Sequence, residues 1–259
     1  MLLDPIRWTD GGWFRMTGGD LSKPLPKPRG GQGGPRGQPL LDDFSTLLKL
    51  GRKGNLFRPG PAEQDHIRIA NGRLVLKASG KAPSNSSPLL MIAGDQAYEC
   101  ECNIEVAQGG TAGLVLFCDD RLYCGLGLDD TRFVTHQYGI ERGRPANPHG
   151  RRMKRRIVNK RHIGAVHTSG DDGRTWRRFD CGMELSGYHH NVCGGFLLLR
   201  PGLYSAGAGE ARFRDFRFRV RSFANSSSLS SRTGFQTVCM PIRFTETSFV
   251  NRPGRQDGV

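Results

Sequence analysis

The sequence predicts an all-β protein built as a sandwich of two antiparallel sheets. Apolar and polar residues alternate with a period of two over many short segments, and turn-forming residues separate these segments about every 8–12 residues. No segment has a helical period with capping residues. The 36 glycines and 15 prolines also favour many turns over long helices.

The predicted strands lie between residues 73 and 220. In "RLVLKAS" (73–79) Leu74 and Leu76 point inward, and "AYECECNIEVA" (97–107) alternates from Tyr98 to Val106. The other predicted strands are 111–120, 121–130, 132–140, 153–159, 161–169, 175–180, 194–202 and 210–220. These segments place the sandwich at residues 40–220.

The two ends of the chain lack this pattern. Residues 1–22 contain an isolated group of aromatic side chains, Trp8, Trp13 and Phe14, and are expected to be extended. Residues 23–39 are rich in proline, glycine and basic residues, which is typical of a solvated linker. Residues 221–259 begin with a serine-rich stretch and are predicted to form a flexible tail.

Charge and cysteine content limit the function classes. The chain has 38 basic and 24 acidic residues in 259, a formal net charge of +14. The run at 141–162 is basic but lacks the interleaved aromatic residues that stack on bases, so we expect no nucleic-acid partner. Seven scattered cysteines without a C-x-x-C pair favour buried, reduced thiols.

The sequence shows no signal peptide at its start and no apolar run long enough to span a bilayer. We therefore expect no membrane partner. The compartment stays unknown, with the cytoplasm as the default.

The stretch "SGDDGRTW" (169–176) lies between two predicted strands and is therefore predicted to form a hairpin turn. Its pattern S-x-D-x-G-x-T-W resembles an Asp-box hairpin, formed here by Ser169, Asp171, Gly173, Thr175 and Trp176. Asp171 can accept backbone N–H groups within the turn, and Gly173 can adopt a positive φ without steric cost. We predict a structural role for this motif.

The remaining acidic and histidine pairs do not predict a catalytic or metal site. Asp119–Asp120 and Asp129–Asp130 each flank a strand, where adjacent carboxylates form turns and cannot face each other across a sugar. His189–His190 would point to opposite faces of a strand. We expect no cofactor and no catalytic metal, and a structural calcium ion with unknown ligands stays open.

Several motifs together carry a family resemblance. They are "SSPLLMIAGDQAYECECNIEV" (86–106), "TAGLVLF" (111–117), "YCGLGLDD" (123–130), "HQYGIERGRPANPHGRRM" (136–153), "SGDDGRTW", and "SGYHHNVCGGFLLLRPGLYSAGAGEARFRDF" (186–216). This series resembles the C-terminal concanavalin A-like jelly-roll sandwich of family 43 glycoside hydrolases, a group of β-xylosidases and α-L-arabinofuranosidases. "DPIRWTDGGWFRM" (4–16) resembles the last strand of the five-bladed propeller that precedes this sandwich in those enzymes.

The resemblance implies an accessory role. The family's catalytic Asp base, Glu acid and second Asp lie in the propeller, and none corresponds to a position in this chain. Residues 1–22 would be a remnant of that propeller, which would be the missing partner. The parent enzyme would be an inverting, β-xylosidase-like hydrolase of xylan or arabinoxylan, and the chain alone is expected to hydrolyse nothing.

We expect two polar loops, 138–150 and 186–192, to face the propeller or its sugar. The candidate residues, with groups suited to a polar interface or to sugar hydroxyls, are Tyr138, Arg142, Arg144, His149, Tyr188, His189, His190 and Asn191. Xylo-oligosaccharide is a candidate ligand. Two alternatives stay open: an independent lectin-like carbohydrate-binding module, and a basic scaffold for anionic polymers.

Overall fold

The computed structural model describes residues 6–16, 40–45, 54–60, 65–93, 95–194 and 198–221. Its strands, in chain order, are β1 (Ile6–Trp8), β2 (Phe14–Met16), β3 (Leu40–Asp42), β4 (Gly54–Leu56), β5 (Ile67–Ala70), β6 (Arg73–Lys77), β7 (Leu89–Met91), β8 (Ala97–Val106), β9 (Gly110–Phe117), β10 (Tyr123–Leu128), β11 (Phe133–Gln137), β12 (Ile140–Gly143), β13 (Arg152–Lys160), β14 (Ile163–Ser169), β15 (Arg177–Glu184), β16 (Arg200–Gly207) and β17 (Glu210–Val220). A 3₁₀ turn at Pro83–Asn85 and a four-residue helix α1 (His190–Cys193) also occur.

Most of these strands form two large antiparallel sheets. The first sheet has the order β12-β11-β10-β9-β16-β7-β4, and the second has the order β15-β14-β13-β8-β17-β6-β5, with β3 paired to β17 beside β6. Strands β1 and β2 form a separate hairpin. The predicted all-β sandwich of two antiparallel sheets is confirmed.

The sequence located most of the long strands and missed the short ones. Strands β4, β5, β7 and β12 have three or four residues each, too few to display a period of two. The predicted strand 194–202 was placed too early, because β16 begins at Arg200 and runs to Gly207. Its small residues Ser205 to Gly207 resemble a turn in sequence but belong to a strand in the fold, in which Ser205 and Ala206 are buried.

The proposed linker 23–39 and the tail 222–259 lie outside the described residues. Of residues 1–22, the structure describes the β1–β2 hairpin, in which Trp8 and Phe14 meet edge to face with ring centroids 5.8 Å apart. Both rings stay exposed, as does Trp13 with 77% of its surface accessible.

The main hydrophobic core lies between the two sheets. Alternate residues of β8 and β17 supply one side of it and alternate residues of β9 and β10 supply the other, as the period of two predicts. Fully buried members include Leu74, Cys100, Cys102, Ile104, Leu114, Leu116, Leu126, Leu203, Phe213 and Phe216. Cys100, Cys102, Cys118 and Cys124 are buried thiols, and Cys181 is an exposed thiol.

A second apolar layer covers the outer face of the first sheet. Tyr204 of β16 is fully buried there, and its ring lies over Gly113 of β9 and Gly127 of β10. A Cβ atom at Gly113 would approach Tyr204 Cε1 to 2.6 Å, and one at Gly127 would collide with the Tyr204 hydroxyl. Gly113 and Gly127 therefore make room for the aromatic ring of Tyr204.

The outer face of the second sheet carries a row of acidic residues on β8 between basic residues of β13 and β17. Glu101 is 3% exposed, and its carboxylate lies 2.7 Å from Arg156 and 3.2 Å from Lys154. Burial raises the pKa of Glu101, but the hydrogen bond from Arg156 and the charge of Lys154 outweigh it and leave the pKa below its usual value. Glu99 and Glu105 make similar pairs, with Arg221 at 2.8 Å and with Arg73 at 3.1 Å.

Among the described residues, no helix has the length and apolar content needed to cross a membrane.

Replacing Gly127 by alanine should destabilise the fold by ~1–3 kcal/mol, because the added methyl group overlaps the Tyr204 hydroxyl in a packed layer. The measurement is the free energy of unfolding in urea. Gly182→Ala is the matched control, since a Cβ at Gly182 meets no atom within 4 Å. Equal stability of the two variants would contradict the close packing of Tyr204.

Candidate functional site

Two of the predicted site residues, Tyr138 and Tyr188, form a stacked pair. Their ring centroids are 4.8 Å apart with an interplanar angle of 22°. The Tyr138 backbone N–H donates to the buried Tyr188 hydroxyl at 2.7 Å, and the Tyr138 hydroxyl donates to Glu184 Oε2 at 3.1 Å. Tyr138 has a positive φ of 49° and is 38% exposed, so its ring forms an aromatic surface supported from behind by Tyr188.

The next three predicted residues follow Tyr188 directly and form a helix start. His189 has an extended backbone, and its Nδ1 accepts the Asn191 N–H at 3.2 Å, which caps α1. The rings of His189 and His190 meet edge to face with centroids 6.0 Å apart. The argument about opposite faces applies to a strand, and these two histidines lie instead where the chain turns into α1.

The two predicted arginines lie at or beside β12. Arg144 makes a bidentate contact with Glu141, at 2.6 and 3.0 Å, and also reaches Asp129 at 3.0 Å. The Arg144 hydrogen bond lowers the pKa of Glu141. Arg142 is exposed on β12. The segment 138–150 is therefore not one loop, because four of its residues form a strand.

His149 makes its contacts with residues outside these two groups. Its Nε2 is 3.3 Å from Thr168 Oγ1, and its ring meets Phe133 edge to face with centroids 6.5 Å apart. Burial, together with the charges of Arg177 and Arg155, lowers the pKa of His149. The eight predicted residues thus divide into a tyrosine–histidine corner, an arginine cluster and His149.

Four of the five hairpin residues form a hydrogen-bond network between β14 and β15. The Asp171 carboxylate accepts from Thr175 N at 2.9 Å and from Thr175 Oγ1 at 2.6 Å, and Ser169 Oγ donates to it at 2.7 Å. Ser169 Oγ also accepts the Gly173 N–H at 2.8 Å, and Gly173 has a φ of 93°. Trp176 lies under Arg156, whose guanidinium carbon is 4.0 Å from the ring centroid.

The other aspartate pairs also bind backbone groups. Asp119 Oδ1 accepts from Arg121 N and Leu122 N at 2.9 and 2.7 Å. Asp129 Oδ1 accepts from Thr131 N and Arg132 N at 2.9 and 2.7 Å. Within the described ranges, no group of three or more His, Cys, Asp or Glu residues could hold a metal ion.

Sequence reasoning missed one feature, an arginine inside the sandwich. Arg155 alternates with Met153 and Ile157 on the inner face of β13 and is 0% exposed. Its guanidinium lies 5.9 Å from the Phe133 ring centroid, and Nη2 donates to Met153 Sδ at 3.4 Å. The signal was present in "MKRRIVN", because one arginine of the pair must share the face of Met153 and Ile157.

A groove opens beside this arginine at the edge between the two sheets. It has a volume of about 380 Å³, and its lining includes Phe133, Phe179, Thr168 and Arg177.

The solved structures that this chain resembles include a xylosidase and two GH43 proteins. The chain superposes on a xylan β-1,4-xylosidase from Bacillus halodurans C-125 with a TM-score of 0.62 and 16% identity, covering 83% of this chain and 46% of that one. GH43B of the xyloglucan utilisation locus of Bacteroides ovatus gives a TM-score of 0.64 and 16% identity, with 84% and 46% coverage. The GH43 protein BlXynB from Bacillus licheniformis gives 0.60 and 17%, with 84% and 46% coverage.

These likenesses confirm the predicted sandwich at the level of the fold. The chain spans less than half the length of each of the three structures. No protein-family model matches the sequence, and no curated protein matches it.

Replacing Asp171 by asparagine should lower the melting temperature near pH 6. The bonds from Thr175 and Ser169 hold the pKa of Asp171 well below its usual range, so its stabilisation is present above the unfolded pKa of about 3.9. That stabilisation is lost as pH falls below this value toward the depressed folded pKa. The difference in melting temperature between wild type and variant should therefore shrink between pH 6 and pH 2.

Thermal melts followed by circular dichroism at several pH values measure this effect. Asp180→Asn is the control, since Asp180 is exposed on β15 beyond the same turn and is not one of the residues that bond to each other in the hairpin. A pH-independent difference for Asp171→Asn would contradict the role of its carboxylate.

Proposed function

We propose that this chain is the non-catalytic accessory sandwich of a family 43 glycosidase. The parent enzyme is a β-xylosidase-like hydrolase acting on xylan or arabinoxylan, and the sandwich packs on its propeller domain and helps to shape its sugar pocket. The observation that carries this proposal is the shared fold, which covers 83% of this chain and 46% of a xylan β-1,4-xylosidase.

The use of the carboxylates supports a non-catalytic role. Glycoside hydrolysis requires two carboxyl groups that face each other across the sugar, about 5–10 Å apart, with pKa values pushed in opposite directions. Asp119, Asp129 and Asp171 bind turn N–H groups, and Glu101 is held in ion pairs. These carboxylates act as structural acceptors.

The tyrosine corner is the surface we propose to face the propeller. The Tyr138 side chain is 38% exposed and stacks on Tyr188. Ile140 of β12, close to Tyr138 in sequence, is 56% exposed, and Val192 of α1, close to Tyr188 in sequence, is 58% exposed. Exposed aromatic and aliphatic groups on a fixed backbone are typical of residues that anchor an interface. His190 and Asn191 are proposed to provide polar contacts at its rim, where the sugar pocket would be bordered.

The β1–β2 hairpin provides separate support for a partner. Trp8, Trp13 and Phe14 are 66%, 77% and 57% exposed. Three large aromatic rings on a three-residue-per-strand hairpin form an apolar surface of the kind that marks a protein interface. We propose that residues 1–22 belong to the propeller side of the enzyme.

The purified chain should not hydrolyse aryl β-xyloside or aryl α-L-arabinofuranoside above the buffer rate. Release of the aryl alcohol measures this directly. Hydrolysis that is abolished by Asp171→Asn or Asp172→Asn, but not by Asp180→Asn, would overturn the non-catalytic assignment.

The accessory role is tested by co-expressing the chain with the polypeptide encoded directly upstream of its Met1 codon. We expect a five-bladed propeller that binds the chain, with binding weakened about 10-fold or more by Tyr138→Glu. Arg161→Gln, at the far end of β13, is the matched control. Absence of a propeller there, or a complex indifferent to Tyr138→Glu, would contradict the proposal.

A further inference from the structure

The groove between the sheets has the size and lining of a small-ligand site. Its volume of about 380 Å³ lies in the range of ligand pockets. Phe133 from β11 and Phe179 from β15 meet edge to face at 5.5 Å on its wall, beside Pro148. Thr168 and Arg177 are direct cross-strand partners and therefore share one face of the sheet that borders the groove.

Arg155 places a buried positive charge behind this wall. It is the cross-strand partner of Thr168, so Arg155, Thr168 and Arg177 form one row across β13, β14 and β15. Its Nε and Nη1 atoms have no hydrogen-bond partner among the described residues. Burial lowers the pKa of Arg155 to about 10, which leaves the guanidinium charged at neutral pH. A buried charge without a counter-ion is costly, and an anion nearby would offset part of that cost.

We propose that this groove binds a sugar acid, a hexuronic acid whose carboxylate pairs with Arg177 and lies in the field of Arg155. The proposal does not rest on the accessory role or on the tyrosine corner, since it uses different residues. It assigns a ligand class to a part of the fold where His149 was the one predicted sugar-facing residue.

The charges around the groove favour an anion. Arg177 and Arg178 line it together with a single acidic residue, Asp180. His149 contacts two lining residues, Thr168 and Phe133, and burial together with the charges of Arg177 and Arg155 lowers its pKa. The Asp171 carboxylate acts on His149 in the opposite direction, and its oxygens are bonded to Thr175 and Ser169.

The apolar part of the lining favours a ring over a simple anion. Phe133, Phe179 and Pro148 present flat apolar groups suited to the C–H face of a pyranose. The Thr168 hydroxyl and the Asp180 carboxylate offer hydrogen bonds to ring hydroxyl groups. Arginine binds carboxylates in a bidentate geometry, which adds orientation to the charge.

The test is a titration of the whole chain, followed by NMR chemical shifts, with sodium D-glucuronate, D-glucose and sodium acetate. Glucuronate and glucose differ only at C6, and acetate carries the carboxylate without the ring. We expect glucuronate to bind with a dissociation constant on the order of 1 mM and the other two to bind at least about 10-fold more weakly.

Two variants locate the site. Arg177→Gln, at an exposed position, should weaken glucuronate binding about 10-fold or more because it removes the charged partner. Phe179→Leu should weaken glucuronate binding while leaving the fold intact, and Arg161→Gln should bind like the wild type. Equal affinity for glucose or acetate, absence of glucuronate binding, or binding indifferent to Arg177→Gln would overturn the proposal.

Discussion

The register of β8 between its two neighbours fixes the rest of the fold. One face of this strand carries Cys100, Cys102 and Ile104 into the core, and the other carries Glu99 and Glu101 toward the basic rows of β13 and β17. A shift by one residue would place the glutamates among the apolar side chains and leave the arginines without partners. The ion pairs therefore act as a register constraint on the sheet, in addition to any contribution to stability.

This arrangement also accounts for much of the basic composition. Arginines at alternate positions of β17, among them Arg212, Arg217 and Arg219, lie on the outer face of the second sheet, where Glu99, Glu101 and Glu105 meet many of the basic side chains. Basic side chains spread over such a face and paired with glutamates differ from positive charge concentrated in a cleft. The proposed groove combines Arg177 in its lining with the buried charge of Arg155 behind it.

The corners of the sandwich separate two surfaces with different chemistry. At one, Tyr138 stacks on the buried Tyr188 and presents an apolar ring. At the other, Phe133 lies between the edge groove and the buried charge of Arg155. Tyr138 follows Phe133 by only five positions. Strand β11 and the turn after it therefore contribute to both surfaces. The two proposed functional surfaces therefore lie at the corners of the domain, where side chains depart from the regular alternation of the strands.

The sequence by itself determined the all-β class, the long strands and the turn at Ser169–Trp176, since alternation and local hydrogen bonding depend on residues close together in the chain. It did not reveal the short strands such as β4 and β7, whose strand state depends on their neighbours in the sheet. Only the tertiary structure decided that Tyr138 meets Tyr188 and that Arg155 lies behind the groove, because these contacts join residues far apart in sequence or on different sheets. The alternation of apolar and polar residues predicts which face of a sheet a side chain lies on. The packing of the two sheets decides which other residues that side chain contacts.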